Sequence, residues 1–218
     1  MKRILYHGSP NIIEKPIYGF GNKQNDYGLG FYCTTSKTLA KEWASKRTGF
    51  GYVNSYSFRD DNYKILDLTA PPYNNVLYWV ALLMSNREIS DELKTKFPRE
   101  LKYLEDNYLI DISKYDIVIG FRADDSYFSY MNSFLENNLS VEALSKAMKL
   151  GKLGLQYVAI SKKAHKKIKF ISAERIEYSD KYEKLQKEIK NEYLKIKSED
   201  KITNTFIRDI MRRYEKDV

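Results

Sequence analysis

The stretch GLGFYCTTSKTLAKEWASK, residues 28–46, places the strongest single constraint on how this chain folds. GLGFYCTT is typical of a strand followed by a turn, and Ser36 after it is suited to cap the start of a helix. Apolar residues then recur at helical spacing, at Leu39, Ala40, Trp43 and Ala44. The stretch therefore predicts a strand, a turn and a helix that packs one face against a core.

Strand and helix patterns follow one another along the rest of the chain. Strand patterns occupy RILYHGS near the start, residues 53–58, 63–68, 115–121 and 155–161, and the short run KIKFI. Helical patterns occupy residues 76–84, two short segments divided by Pro98, and stretches near 126–137 and 140–150. This order predicts a mixed fold in which strands and helices share one core.

The C-terminal stretch differs from the rest, because residues 176–218 contain two amphipathic helical patterns and neither proline nor glycine. We predict a domain over residues 1–175 and an appended helical arm over 176–218. The apolar stripes of the arm leave three arrangements open. The arm folds back on the domain, forms a helical hairpin of its own, or receives an inhibitory partner protein.

Composition narrows the class of protein. A chain of 218 residues with 43% hydrophobic residues can bury one sizeable core, and 30% charged residues indicate a soluble protein. No apolar run approaches the roughly 20 residues of a membrane span, and the first 20 residues lack a signal-peptide core. We therefore expect a cytoplasmic protein with no membrane partner. With Cys33 as the single cysteine and two histidines, we expect no disulfide and no metal site.

The net charge of +8 predicts attraction to polyanions such as RNA, or to a negatively charged cofactor. A solvated basic surface explains the same surplus. The lysines are concentrated in SKKAHKKIKF, residues 161–170, which holds five of them.

Each motif near the N-terminus is weak when taken singly. His7 stands at the end of a strand pattern, where most histidines have no catalytic role, and Gly28 and Gly30 fit a simple turn. Tyr32 is one of 19 tyrosines. GLGFY is followed by neither a third glycine nor a lysine, so it does not match a dinucleotide or phosphate loop.

Taken together and in order, these motifs resemble the ADP-ribosyltransferase superfamily, in its diphtheria-toxin and poly(ADP-ribose) polymerase branch. The resemblance rests on Tyr-His-Gly at a strand end, Gly-x-Gly-aromatic-Tyr before a helix, and Gln156-Tyr157 in a late strand. DYGLGFYCTTSKTLAKEWA, YDIVIGFRADD and LQYVAISKKA are similar to uncharacterised bacterial members, which are often found in toxin–antitoxin or phage-defence loci. The resemblance covers about residues 1–173 and excludes the arm.

The resemblance implies an α+β fold in which two small, mostly antiparallel sheets, flanked by helices, form a cleft for NAD. It implies that His7 bonds a ribose hydroxyl, that Gly8 clamps the carboxamide through its backbone, and that Tyr32 stacks on the nicotinamide ring. Ser36 matches a further carboxamide contact, and Tyr27 or Trp43 would supply a second wall. The cofactor-binding set expected on this basis is His7, Gly8, Ser9, Gly28, Gly30, Tyr32 and Ser36. Arg122, which follows the strand pattern of residues 115–121, is a separate hypothesis for binding the NAD pyrophosphate.

The sequence departs from the family pattern at the catalytic position, where Gln156 stands in place of a glutamate. An amide holds a ribose hydroxyl but supplies no full negative charge, and losing that charge costs on the order of 2 to 4 kcal/mol in barrier. Asp124 and Asp125 are candidate auxiliary carboxylates, although they equally fit a cap for a helix starting near Ser126. The missing charge would also matter less if the acceptor needed little deprotonation, as a nucleobase amine does. Residues 162–169 would then serve as a polyanion contact.

Three functions follow as hypotheses. The first is an NAD-dependent mono-ADP-ribosyltransferase, a toxin or defence effector, that uses NAD as substrate and modifies a protein or nucleic acid. Its catalytic residues would be His7, Tyr32 and Gln156. The second is a catalytically weakened module that binds NAD or ADP-ribose and acts through a partner. The third is a nucleic-acid binder without a cofactor.

Overall fold

The computed structural model describes residues 2–45, 49–59, 61–123, 126–150, 154–177 and 181–217. Its strands are β1 (Lys2–Ser9), β2 (Phe31–Thr34), β3 (Phe50–Arg59), β4 (Ile65–Asp67), β5 (Ile117–Phe121), β6 (Leu155–Ala159) and β7 (Lys169–Glu177). Its helices are α1 (Lys37–Ser45), α2 (Val76–Asn86), α3 (Asp91–Lys96), α4 (Pro98–Tyr108), α5 (Ser126–Leu135), α6 (Val141–Ala147), α7 (Lys162–Lys167), α8 (Lys181–Ser198) and α9 (Ile207–Asp217), with a short 3-10 turn at Ile112–Lys114. The α+β class expected from the sequence is confirmed.

The described strands form one sheet in the order β4-β5-β6-β2-β1-β3-β7. Only the pairing of β4 with β5 is parallel within the described part of the chain. The expectation of two separate sheets is therefore wrong. The strands form a single sheet because β2 pairs with β6 on one side and with β1 on the other.

The join between the two halves of the sheet is narrow. β1 and β2 meet at one residue pair, Tyr6 opposite Thr34, whereas β1 pairs with β3 over eight. Beyond that pair, toward His7 and Tyr32, the side chain of His7 replaces the backbone ladder, with its Nδ1 2.6 Å from the Tyr32 carbonyl oxygen. The two strands therefore part at this point, and the parting opens a cleft in the sheet.

Both faces of the sheet are covered by apolar residues, because successive strand side chains point to opposite faces. In β5, Val118 belongs to a large cluster with α2, α5 and α6, while Ile117 and Ile119 belong to a smaller cluster with β1 and β3. The sequence pattern of α2 accounts for its burial, since six of its eleven residues are buried. Asn75 caps that helix by accepting a hydrogen bond from the Leu77 N–H.

The helical arm packs on the domain. Ile189, Tyr193 and Ile207 are buried in the large cluster, and the Tyr193 ring stacks on that of Tyr130 with centroids 3.9 Å apart. Of the three arrangements open from the sequence, folding back is the one found. No helix in the described ranges is long and apolar enough to cross a membrane.

Candidate functional site

A cleft of about 470 Å³ opens where β1 and β2 part. Its walls come from those strands, from β6, from α1 and from the loop of residues 10–30. The lining residues are His7, Gly8, Ile13, Phe20, Gly21, Asn25, Asp26, Gly30, Phe31, Tyr32, Trp43, Arg87, Arg122, Ala123 and Gln156. Six residues expected from the sequence as catalytic or cofactor-binding therefore meet here: His7, Gly8, Gly30, Tyr32, Arg122 and Gln156.

His7 is a neutral histidine with a defined tautomer. Burial lowers its pKa, although the hydrogen bond to the Tyr32 carbonyl opposes that shift. Because a carbonyl oxygen can only accept, Nδ1 carries the hydrogen and Nε2 is left as an acceptor. A ligand hydroxyl in the cleft can donate to that nitrogen.

Tyr32 is held by its hydroxyl group, so its ring serves as a fixed wall. The hydroxyl donates to the Gly28 carbonyl at 2.7 Å and accepts from the Tyr27 N–H at 3.0 Å. Burial raises the pKa of Tyr32 far above its ordinary range, so the phenol stays protonated. Gly28 makes the turn that receives it, with φ of 66° and no room for a Cβ, which would lie 2.8 Å from Asn86 Oδ1.

Asp26 lies at the base of the cleft and was missed in the sequence. It is only 3% exposed, forms an ion pair with Arg87, and accepts a hydrogen bond from the Ala123 N–H at 2.8 Å. Burial raises the pKa of this carboxyl, and Arg87 and Ala123 oppose the rise. The groups around it are donors, which suits an ionised carboxylate.

Gln156, on β6, is tied to that carboxylate. It is 5% exposed, and its Nε2 donates to Asp26 Oδ2 at 3.3 Å. Since a carboxylate only accepts, this contact fixes which end of the amide is nitrogen. The amide oxygen Oε1 is buried and has no hydrogen-bond partner within the described residues. A buried acceptor without a partner costs stability, so it indicates a place for a donor from a ligand.

Arg122 and Trp43 also line the cleft. The Arg122 guanidinium is buried, with its carbon 5.8 Å from the centre of the Trp43 ring and Nη1 3.8 Å from a carboxylate oxygen of Glu42. Trp43 lines the cleft, whereas Tyr27 lies in the core with its hydroxyl on the Phe121 carbonyl. Trp43 is thus the residue placed to act as a second wall.

The approach of α1 to β1 depends on Gly8. A Cβ at that position would lie 2.0 Å from the carbonyl oxygen of Ala40, so only glycine lets the helix pack this closely. The same contact brings Trp43, three residues further along α1, to the cleft.

The remaining expected residues have other places. The Ser9 hydroxyl accepts from the Asn11 N–H, and the Ser36 hydroxyl caps α1 by accepting from the Leu39 N–H. Neither residue, nor Gly28, is among the described residues that line the cleft. Asp124 and Asp125 lie outside the described residues. Within the described ranges, no three metal-ligating side chains cluster together.

The sequence contains little that predicts the contacts of Asp26 with Arg87, Ala123 and Gln156. Asp26 stands directly before Tyr27-Gly28, so its place in the NDYGLG motif was the available signal. Its partners Arg87, Ala123 and Gln156 are 61, 97 and 130 residues away, and no local pattern links them.

The chain matches a family model described as "Protein of unknown function (DUF3990)" over residues 3–170. It belongs to the DUF3990 family. The DUF3990 match includes every described residue of the cleft and ends inside β7, before the helical arm. No curated protein and no solved structure matches the chain.

Proposed function

We propose that this DUF3990 protein binds NAD in the cleft and transfers a single ADP-ribose from it to a macromolecular acceptor, with release of nicotinamide. The observation that carries the proposal is the convergence of His7, Tyr32 and Gln156, from three different strands, on one cleft. The reaction is the one implied by the resemblance to the ADP-ribosyltransferase superfamily, and the chemistry of the lining residues supports it.

The cleft offers what the nicotinamide half of NAD requires. Nicotinamide in NAD is a cationic ring, and the electron-rich faces of Tyr32 and Trp43 attract such a ring by stacking and cation–π interaction. His7 Nε2 would accept from a ribose hydroxyl, and Arg122 would pair with the pyrophosphate. A volume of about 470 Å³ lies in the range of small-molecule sites.

In the proposed reaction, the bond from the ribose C1′ to the nicotinamide nitrogen breaks, and its electron pair leaves with nicotinamide. The acceptor forms the new bond to C1′ and loses a proton to solvent. The sugar carries positive charge in the transition state, so negative potential nearby lowers the barrier.

Asp26 and Gln156 together would take the place of a single glutamate. Gln156 Oε1 accepts from the ribose hydroxyl, and the Asp26 carboxylate behind it supplies the negative potential through the amide. Arg87 neutralises part of that charge, so we expect slower turnover than a glutamate beside the sugar would give.

A second candidate function is a module that binds NAD or ADP-ribose without turnover. The observation in its favour is the pairing of Asp26 with Arg87, because it leaves Gln156 as the nearest group to the sugar and that group is neutral.

The two candidate functions differ in whether NAD is cleaved and its ADP-ribose transferred to a macromolecule. The test adds adenine-labelled NAD to the purified protein with a cell extract and measures both labelled macromolecule and free nicotinamide. Tyr32→Leu, which removes the ring, should lower nicotinamide release at least about a hundredfold, whereas Tyr32→Phe should retain a substantial part of it. The exposed Tyr214, changed to Ala, is the matched control and should have no effect.

Melting temperatures of all three variants separate loss of the site from loss of the fold. Release that is unchanged in folded Tyr32→Leu contradicts the proposed place of nicotinamide. NAD binding by calorimetry without release favours the binding module.

A further inference from the structure

The loop that borders the cleft exposes apolar side chains to solvent. Ile17, Tyr18 and Phe20 are 66%, 47% and 80% exposed, within four consecutive residues. A tight turn presents them, because the Phe20 N–H donates to the Ile17 carbonyl at 3.2 Å. Phe20 also lines the cleft, so this exposed group begins at the cleft mouth.

A helix of lysines lies beside that loop. Ser161 caps α7, and the burial of Ala164 and His165 turns Lys162, Lys163, Lys166 and Lys167 outward. Lys163 pairs with Asp116. The structure records no ion pair for the other three with an acidic residue in its described part.

The loop meets α7 at Lys162 and His165. The Tyr18 ring meets the His165 ring edge to face at 5.3 Å, and the Lys162 ammonium lies 5.5 Å from the centre of the Tyr18 ring. His165 also approaches Phe31, a lining residue of the cleft, with ring centres 6.4 Å apart. Lys167 lies at a different ring, with its ammonium 5.6 Å from the centre of the Tyr63 ring. We call the exposed surface formed by Tyr18, Phe20 and the outward-facing Lys162, Lys166 and Lys167 the rim.

We propose that the rim binds single-stranded nucleic acid and presents it to the cleft as the acceptor. This deepens the proposed function and, for the acceptor role, rests on it. Exposed rings offer stacking platforms for bases, and the lysines attract phosphates in a sequence-independent way. A nucleobase N–H would then form the bond to the ribose C1′ as nicotinamide leaves, and would release its proton to water.

The composition of the rim favours this partner over others. Lysine is depleted in the cores of protein–protein interfaces, so a surface with three outward-facing lysines and exposed aromatic rings fits a polyanion better than a protein. Stacking on an exposed ring requires unpaired bases, which favours a single strand over a duplex. The net charge of +8 acts in the same direction.

The test measures binding of the full chain to fluorescent oligonucleotides of about 15 bases by anisotropy, without NAD, over a range of salt concentrations. The probes are single-stranded RNA, single-stranded DNA and duplex DNA, with vesicles containing phosphatidylserine as a separate arm. We expect single strands to bind with Kd on the order of 1 to 100 µM near physiological salt, and more tightly at lower salt.

Two variants identify the rim. Changing Lys162, Lys166 and Lys167 to Gln should weaken binding at least about tenfold at low salt, and should reduce the slope of log K against log salt by about 2. The matched control changes the exposed Lys94, Lys102 and Lys195 to Gln, which removes the same charge elsewhere, and should change affinity by less than about threefold. Tyr18→Ala should cost roughly tenfold with the salt slope unchanged.

The remaining outcomes test the rim and the proposed function separately. Equal loss in the rim and control triples means that net charge alone attracts the strand. Binding to vesicles but not to oligonucleotides, or no saturable binding at low salt, overturns the proposal. Label transferred to protein alone overturns the acceptor role, while rim-dependent binding of strands without any release of nicotinamide leaves the rim standing and contradicts the proposed function.

Discussion

The cleft and the arm junction both contain a buried or half-buried aspartate, and the two aspartates are held in opposite ways. At the junction, Asp200 accepts from the N–H and the hydroxyl of Ser140 at 2.8 and 2.6 Å and from the amide of Asn204 at 2.8 Å. Burial alone would raise its pKa, but these hydrogen bonds lower it below the ordinary value. For Asp26, burial outweighs Arg87 and Ala123, and the pKa is raised.

The two aspartates also differ in whether the polar atoms around them all have hydrogen-bond partners. At the junction every polar atom just named has its partner, so the hydrogen bonds stabilise the docking of the arm. In the cleft, Asp26 fixes Gln156 while the Gln156 amide oxygen has no partner in the described part of the chain. Because Gln156 lines the cleft, a donor that enters the cleft can complete the hydrogen bonds of this atom.

The largest effect that tests this comparison is loss of the arm. Ending the chain after Glu177 removes Ile189, Tyr193 and Ile207 from the core, which amounts to about 5 to 8 kcal/mol of apolar burial. Because domains of this size are stable by only about 5 to 15 kcal/mol, we expect the shortened protein to aggregate or to unfold at room temperature. Solubility and circular dichroism measure this.

Two single substitutions test the same contribution of the arm to stability without removing it. Ile189→Ala should lower the free energy of unfolding by about 3 kcal/mol, while the exposed Ile202→Ala should change it by less than about 0.5 kcal/mol. If the shortened chain folds and melts like the full one, the arm is a separate partner element and the comparison fails.

We expect an intermediate effect, on NAD turnover, from variants that move the carboxylate from position 26 to position 156. Gln156→Glu alone places a second carboxylate against Asp26, so we expect it to lower rather than raise NAD turnover, by roughly tenfold. Asp26→Asn alone should lower turnover similarly, because it removes the carboxylate that supplies negative potential behind Gln156. The double variant Asp26→Asn, Gln156→Glu again has one carboxylate and one amide, and it should recover the wild-type rate or exceed it.

The cycle has a clear contrary result. If the effects of the two single variants on the logarithm of turnover simply add in the double variant, the two residues do not act as a unit. The side-chain amide protons of Gln156 provide a readout that does not depend on activity, since their NMR shifts should move in Asp26→Asn.

The smallest effect concerns the protonation of His7. Its folded pKa lies below the ordinary 6.5, so in acid the unfolded chain binds a proton that the folded chain does not. The contribution of His7 to stability is therefore fully present above about pH 7 and is lost as pH falls through about 6.5.

His165 provides the control, because burial lowers its pKa in the same direction. Melting temperatures between pH 8 and pH 5, about the range where histidine titrates, should lose part of their slope in His7→Gln and a separate part in His165→Gln. Because a protonated His7 cannot accept from the ribose hydroxyl, we expect nicotinamide release to fall in acid. This fall should persist in His165→Gln and disappear as a distinct step in His7→Gln. A pH slope of melting temperature unchanged by His7→Gln contradicts the neutral state assigned to that residue.

Local patterns in the sequence were enough to predict most elements of secondary structure. The strand–turn–helix of residues 28–46 is present as β2 and α1, with Ser36 as the cap, because capping and side-chain periodicity involve only near neighbours. The pattern was insufficient for α7, a helix of six residues within the lysine-rich segment, because so short a run carries little periodicity. β7 is longer than the predicted KIKFI run, since its pairing with β3 extends it to Glu177.

The sequence by itself determined which side chains were available for the cleft: His7, Gly8 and Tyr32 follow from short motifs whose members are close along the chain. Only the tertiary structure decided that the sheet is continuous, that it opens beside a single pair of residues, and that the arm closes over α5 and α6. It also decided that the Asp26 carboxylate lies against Gln156. The physical reason is that these features depend on contacts between residues up to 130 positions apart, which are formed only when the whole core packs.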